Sequence, residues 1–253
     1  MKVKNILISQ NAPADFERSP YAELTRKYSV KLDFFKLFQL EGISATDFRK
    51  SKINIAEHNA VIFSSKNTID YFFQLLKELR TDVPDNMKYF CTTEATALYL
   101  QNYIQFRKRK VFFAKNNLTD FYDQVLKNKE DRFLLPSGAD GISTSLQEFL
   151  DREAITYSKA VVFKNIPCDL KKHIDITKYQ MVVFFSPFGV QSLKYNFPGL
   201  DASEIVFGAL GENAAASVKA EGWSLEVMAP TKETPSITIA MDIFLKEHAT
   251  RRR

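Results

Sequence analysis

Scarcity frames this chain of 253 residues, which has two cysteines, one tryptophan, three histidines and eight glycines. Cys91 and Cys168 stand at no motif spacing, which excludes a disulfide framework and fits a reducing cytoplasm. His58, His173 and His248 are isolated from one another and from cysteine, so no metal site is expected. The glycines form neither Gly-x-Gly-x-x-Gly, nor a Walker loop, nor Gly-x-Ser-x-Gly, which removes the common phosphate cradles and the nucleophile elbow. No apolar run approaches the ~20 residues that span a bilayer. The apolar stretch at Asn5–Ser9 is too short for a signal peptide and has no small-residue cleavage site after it, so it reads as a first strand.

What is abundant is core material. Hydrophobic residues make up 45% of the chain, with 22 phenylalanines, and disorder is excluded. The length suits one large domain or two of roughly 120 residues. A formal charge of +5 favours an anionic partner. Part of that excess sits in Arg107-Lys108-Arg109-Lys110 and part in Lys246 and Arg251-Arg252-Arg253. Basic residues interleaved with aromatics are missing, so nucleic acid is not expected and an acidic small molecule is the better match.

Short β-branched and aromatic runs alternate with helical periods, the pattern of an α/β fold with parallel sheets. One stretch organises the rest. Val61-Ile62-Phe63 is a buried-strand signal that stops on Ser64-Ser65 and enters a helix over about 68–79. The same apolar run, serine and helix entry return about 121 residues later as Val182-Val183-Phe184-Phe185-Ser186. Further units match in order. Phe90-Cys91-Thr92-Thr93 faces Ala209-Leu210-Gly211 at an offset near 118, and Phe113-Ala114-Lys115-Asn116 faces Met228-Ala229-Pro230-Thr231 at one near 115. Lys110–Phe113 is a strand, 116–126 a helix, and Arg132–Leu135 a strand ending at Pro136-Ser137-Gly138.

The middle of the chain thus carries four strand–helix units and the C-terminal part three, and the N-terminal unit Asn5–Tyr28 is the missing fourth. The expected layout is a discontinuous α/β domain of 1–33 plus 167–253 and an inserted α/β domain of 42–158. Extended crossings at 34–41 and 159–166 join them, with the ligand cleft between the domains. Val30–Leu40 reads as one extended ribbon. At the strand-end edge, Ser65, Thr96, Ser186 and Thr231 are each expected to cap a helix and turn its backbone N–H groups outward.

Those motifs resemble the uroporphyrinogen-III synthase family, over essentially the whole chain. The resemblance rests on Phe63-Ser64-Ser65-Lys66-Asn67, Phe184-Phe185-Ser186-Pro187-Phe188-Gly189, Phe207-Gly208-Ala209-Leu210-Gly211-Glu212-Asn213-Ala214 and Ala229-Pro230-Thr231. The tract Lys88-Tyr89-Phe90-Cys91 through Leu100 is similar to Bacteroidetes-type members. It implies two flavodoxin-like α/β/α domains with parallel sheets, joined by a two-stranded β linker, and a monomeric, cytoplasmic lyase of porphyrin and heme biosynthesis that uses no cofactor. The implied substrate is hydroxymethylbilane, a linear tetrapyrrole with eight carboxylates, which is dehydrated and cyclised with inversion of the last ring. Without enzyme it closes to the uninverted isomer. The implied substrate-binding residues are Ser65, Lys66, Asn67, Thr96, Ser186, Phe188, Gly189, Gly211, Asn213 and Thr231.

Three departures stand out. The family's tyrosine, its candidate for assisting hydroxide departure, is Phe163 here, with Tyr157 as a weak substitute and the catalytic residue left unassigned. Pro136 stands where an Arg often follows the strand, and Phe188 where Ser is common. Phe163 and Pro136 open the alternative of a weakened or non-catalytic paralogue that binds an anionic, tetrapyrrole-like ligand.

Overall fold

Two largely parallel sheets organise the protein, whose computed structural model describes residues 3–115 and 117–250, with Ala249 and Thr250 in backbone only. Asn116, where the 116–126 helix was expected to begin, and the tail Arg251–Arg253 lie outside the described residues. The chain divides into two compact units, one running to Gln39 and resuming at Ile166, the other spanning Leu40–Asn165.

The first unit has β1 (Asn5–Ile8), α1 (Pro20–Tyr28) and β2 (Lys31–Phe34), and the second opens at β3 (Phe38–Gly42), whose first residues precede the division. The second unit continues with α2 (Ala45–Lys50), β4 (Ala60–Phe63), α3 (Lys66–Leu79), β5 (Lys88–Cys91), α4 (Glu94–Leu100) and β6 (Val111–Phe113). It ends with α5 (Leu118–Leu126), β7 (Phe133–Gly138), α6 (Thr144–Arg152) and β8 (Tyr157–Pro167). Back in the first unit come β9 (Met181–Phe184), α7 (Pro187–Asn196), β10 (Val206–Leu210), α8 (Glu212–Ala220), β11 (Leu225–Ala229) and α9 (Ile237–Thr250).

The sheet orders are β11-β10-β9-β1-β2 and β3-β8-β7-β4-β5-β6. With β3 set aside, the second order is the first with β9, β10, β11, β1 and β2 replaced by β4, β5, β6, β7 and β8. The units are circular permutations of one plan, a doubly wound parallel sheet. Ladder register carries the correspondence to single residues. Phe63 faces Cys91 and Cys91 faces Phe113 in one sheet, while Phe184 faces Ala209 and Ala209 faces Met228 in the other. These are the offsets read from the sequence.

Strands buried on both faces read as continuous apolar runs. Alternate residues of Ala60–Phe63 feed opposite clusters: Val61 and Phe63 pack with Ile69, Phe72, Phe73 and Leu76 of α3, whereas Ala60 and Ile62 pack with Phe121 of α5 and Leu146 and Phe149 of α6. The α3 stripe has the i, i+3, i+4, i+7 spacing of a core-facing helix. It ends where Arg80 turns left-handed at φ 55° and Thr81 N–H donates back to Leu76 O. In the first unit, Trp223 stacks on Phe207 at 4.6 Å and completes the face that covers Phe184.

The expected ribbon over 30–40 is broken. β2 ends at Phe34 and β3 starts at Phe38, because the Leu37 carbonyl between them accepts from Ser192 Oγ and from Cys168 N–H. His58 is buried with both ring nitrogens engaged, by Asn54 O and Ser158 Oγ at 2.9 Å each, and holds β8 in register rather than facing a ligand.

Candidate functional site

The strand-end edge of each unit is set by where its helices start. Ser65 accepts from Thr68 N–H at 3.2 Å, and Thr68 Oγ1 accepts from Ser65 N–H, so α3 opens with a reciprocal capping box. Lys66 and Asn67 are exposed, and as the first two residues of the helix their N–H groups have no intrahelical acceptor. The Lys66 ammonium lies 5.1 Å from the centroid of the Tyr99 ring, whose hydroxyl donates to Asp70 beside that of Tyr103. Those bonds to a carboxylate push both phenols above their ordinary pKa, so at neutral pH they stay protonated and donate to Asp70.

In the other unit Ser186 has the same extended backbone as Ser65, φ −160°, and accepts from Gly189 N–H at 3.4 Å. Pro187 at the first helical position brings no N–H, which leaves that of Phe188. The Phe188 ring meets Phe38 at 5.8 Å between centroids, and Lys36 Nζ lies 5.2 Å from the Phe38 ring centre. Lys36 and Phe38 carry no signal of their own in the sequence, where they read as part of the ribbon. Gly189 is buried: a Cβ there would meet Phe184 at 3.2 Å and Ser9 Oγ at 3.4 Å, so this glycine answers a packing demand.

Two of the four expected caps are not caps. Thr93 caps α4, accepting from Thr96 N–H at 3.2 Å, while Thr96 is buried with its hydroxyl on Thr93 Oγ1. The hydroxyls toward solvent at this turn belong to Thr92 and Thr93. Thr231 lies in the loop before α9, bonded to Thr234 and Glu233, and Ile239 N–H donates to Ser236 instead. Gly211 holds φ 85°, a conformation suited to glycine, and leads α8 past an exposed Asn213 without a side-chain cap. Glu94 and Glu212 occupy the first turns of α4 and α8, whereas α3 and α7 have no acid there. A first-turn acid makes the starts of α4 and α8 weaker anion sites than those of α3 and α7.

Phe163 sits opposite Gly138 at the C-terminal end of the β7–β8 ladder. Its ring occupies the space a Cβ of residue 138 would need, 2.7 Å away, and lies 5.2 Å from the Tyr71 ring. Tyr157 faces Phe133 at the opposite end, six residues and roughly 20 Å back along the strand. Its hydroxyl donates to Asp151, and burial, then that bond, raise its pKa. Tyr157 therefore cannot stand in for a phenol at position 163.

Pro136 is buried inside β7. Phe133 N–H donates to Thr156 O on the β8 side, so the N–H of every second residue, 134 and 136, is directed at β4. Proline has none to give, and the recorded β4–β7 register covers only Ala60–Phe133 and Val61–Leu134. Among the described residues no group of three His, Cys, Asp or Glu is placed to hold a metal, and no helix is long and apolar enough to cross a membrane.

Comparison with known proteins bears on the fold and the family. The solved uroporphyrinogen-III synthetase of Helicobacter pylori 26695 superposes with a TM-score of 0.54 at 18% identity, over 96% of this chain and 99% of that one, which shows a shared fold. A mutant uroporphyrinogen III synthase from the extremely thermophilic bacterium Thermus thermophilus gives 0.46 at 12% identity, over 99% and 100%. No curated protein matches. The family profile described as Uroporphyrinogen-III synthase HemD matches residues 19–238. With that span covering most of the chain, the protein belongs to the uroporphyrinogen-III synthase family.

Proposed function

We propose that this chain carries out the reaction of its family, the dehydrating cyclisation of hydroxymethylbilane to uroporphyrinogen III with inversion of the last ring. The observation that carries the reading is the pair of serine-capped, acid-free helix starts at α3 and α7, on strand ends related by the internal repeat. A polycarboxylate that must be bent rather than attacked needs preorganised donors and no nucleophile. Ser65, Lys66, Asn67, Ser186, Phe188, Gly211 and Asn213 are the residues assigned to substrate, with most contacts made by main-chain N–H groups. Thr96, Gly189 and Thr231 act through the turns they hold.

A coupled assay with hydroxymethylbilane tests this: the enzyme yields the III isomer, and the I isomer alone overturns the reading. Under the main-chain assignment, Ser65→Ala lowers turnover by less than about tenfold. A loss above about a thousandfold, ~4 kcal/mol of barrier, would sink it. One observation favours a second reading, binding without turnover: Phe163 places a ring with no proton to give at the C-terminal end of the β7–β8 ladder. Phe163→Tyr separates the two, since a gain in III-isomer formation supports a weakened enzyme.

A further inference from the structure

The basic run Arg107–Lys110 leads directly into a strand with a free edge. β6 is the last strand of the second sheet, with β5 on one side and no strand on the other. Tyr89 N–H of β5 donates to Lys110 O at 2.7 Å, so the backbone groups of residue 112 point at β5 and those of Val111 and Phe113 point away. Two of those outward groups are satisfied locally: Val111 N–H donates to Arg107 O at 3.2 Å, and Phe113 O accepts from Gln124 Nε2 at 2.9 Å. Val111 O and Phe113 N–H are left without a partner among the described residues. They flank Phe112 and form the pair that one residue of an added strand engages.

Charge defines the kind of strand that fits. Residues 107–115 hold five cations and no acid. Arg107, Lys108, Arg109 and Lys115 are exposed, and Lys110 Nζ donates to Asp85 O. None of the five meets a carboxylate among the described residues. The fold itself does not require this charge. At β11, the equivalent edge of the other unit, the stretch from Trp223 to Pro230 has Glu226 and no cation. Phe106, Lys108, Val111, Phe112, Phe113 and Lys115 line a groove of about 440 Å³. No residue of β5 contributes to it, so it runs along the free side of β6.

Three occupants compete for such an edge. A second copy of β6 would set one basic run against another, and charged residues beside an edge strand keep like edges apart. Nucleic acid would need rings free to stack on its bases. Phe112 is already stacked on Phe90 at 4.8 Å, and Phe106 and Phe113 pack against the core beneath α3 and α4. An extended peptide brings the N–H and C=O that Val111 O and Phe113 N–H lack, and acidic side chains on it meet the cations. We propose that the free edge of β6 is a docking site for an extended acidic segment of another protein, added as the next strand of the sheet.

The test titrates the full chain with a labelled peptide of alternating glutamate and valine, about nine residues long. Fluorescence anisotropy reports binding, the amide signal of Phe113 reports pairing, and neither depends on turnover. Binding with a Kd on the order of 10 μM is expected, with slowed exchange of the Phe113 amide. The same peptide N-methylated at every residue keeps its charge and loses its strand edge, and should bind about tenfold more weakly or worse. Lys108→Glu combined with Arg109→Glu should weaken binding by a similar factor and leave the melting temperature unchanged, since both side chains are exposed. No binding, equal binding of the methylated peptide, or tighter binding of a single-stranded RNA of the same charge overturns the proposal. So does a Phe113 amide that the peptide leaves unaltered.

Discussion

The two units are one plan built twice, and their central ladders part company at one position. Ile6, Leu7 and Ile8 pair with Met181, Val182 and Val183, as Phe133 and Leu134 pair with Ala60 and Val61. By that register Ser9 corresponds to Pro136. Ser9 N–H donates to Val183 O at 2.9 Å, and Ser9 Oγ accepts from Phe185 N–H at 3.2 Å, so the centre of the first sheet is closed to its end. Pro136 makes no such bond to Ile62, and there the second sheet opens into a cavity. The units also fasten equivalent helices differently. Between α1 and α9, Lys27 and the Tyr28 hydroxyl both meet the Asp242 carboxylate, whereas between α6 and α5 Phe149 stacks on Tyr122 at 4.1 Å. A repeated fold tolerates such exchanges where the strand order is untouched. The differences collect at strand ends and helix flanks.

The largest test of the equivalence uses Phe63 and Phe184, which occupy the same place in the two sheets and are both fully buried. Truncating either to Ala should cost about 3–5 kcal/mol. Trp223 packs against Phe184, so Phe184→Ala should lower the urea midpoint of tryptophan fluorescence directly. Equal losses would support the pairing, and a loss under about 1 kcal/mol in either would break it. Gly138→Ala drives a methyl into the Phe163 ring and should cost about 1–3 kcal/mol. Phe163→Leu should rescue it, a recovery that a purely backbone effect would not show.

The polar fastening of α1 to α9 should be titratable where the aromatic one is not. The Lys27 ammonium holds the Asp242 carboxyl below its usual range. A carboxyl with a lowered folded pKa stabilises above its unfolded value, near 4, and that contribution is lost as pH falls through the folded value. Asp242→Asn should therefore cost a little stability at pH 7 and nothing in strong acid, measured by urea midpoints across pH. Phe149→Leu should change stability by the same amount at both. The smallest effect belongs to Pro136→Ser, which supplies the missing N–H while giving up proline's restriction of the unfolded chain. The two nearly cancel, within about 1 kcal/mol. Slow amide exchange at residue 136 would show the second sheet closing like the first, and fast exchange would show that something besides proline keeps it open.

Much of the fold was legible because buried parallel strands leave an unmistakable run, as at Val61–Phe63 and Val182–Phe184, and because the repeat offsets are ladder offsets. The site was less so. Whether Thr93 or Thr96 caps α4 depends on which backbone is extended, and both are threonines at cap spacing. Thr231 looks like a cap in the sequence because α9 starts at Ile237, later than its pattern implies. Pro136 reads as the end of a strand that in fact continues to Gly138, since proline removes only the bond toward β4 and the β8 ladder runs on. The partners of Leu37 lie far along the chain, at Cys168 and Ser192, and no local pattern marks them.

The permuted order also sets a timetable. β1 lies between β2 and β9 in its sheet, so one of its two edges awaits Met181–Phe184, which the ribosome makes only after the whole 40–165 unit. At roughly 5–20 residues per second, the interval from Ile8 to Met181 is on the order of ten seconds or more. Throughout it, the apolar Ile6-Leu7-Ile8 has an unpaired edge, and by its end the inserted unit has all its strands. The strand in greatest need of a chaperone is therefore β1, which waits longer than any other strand for its second neighbour.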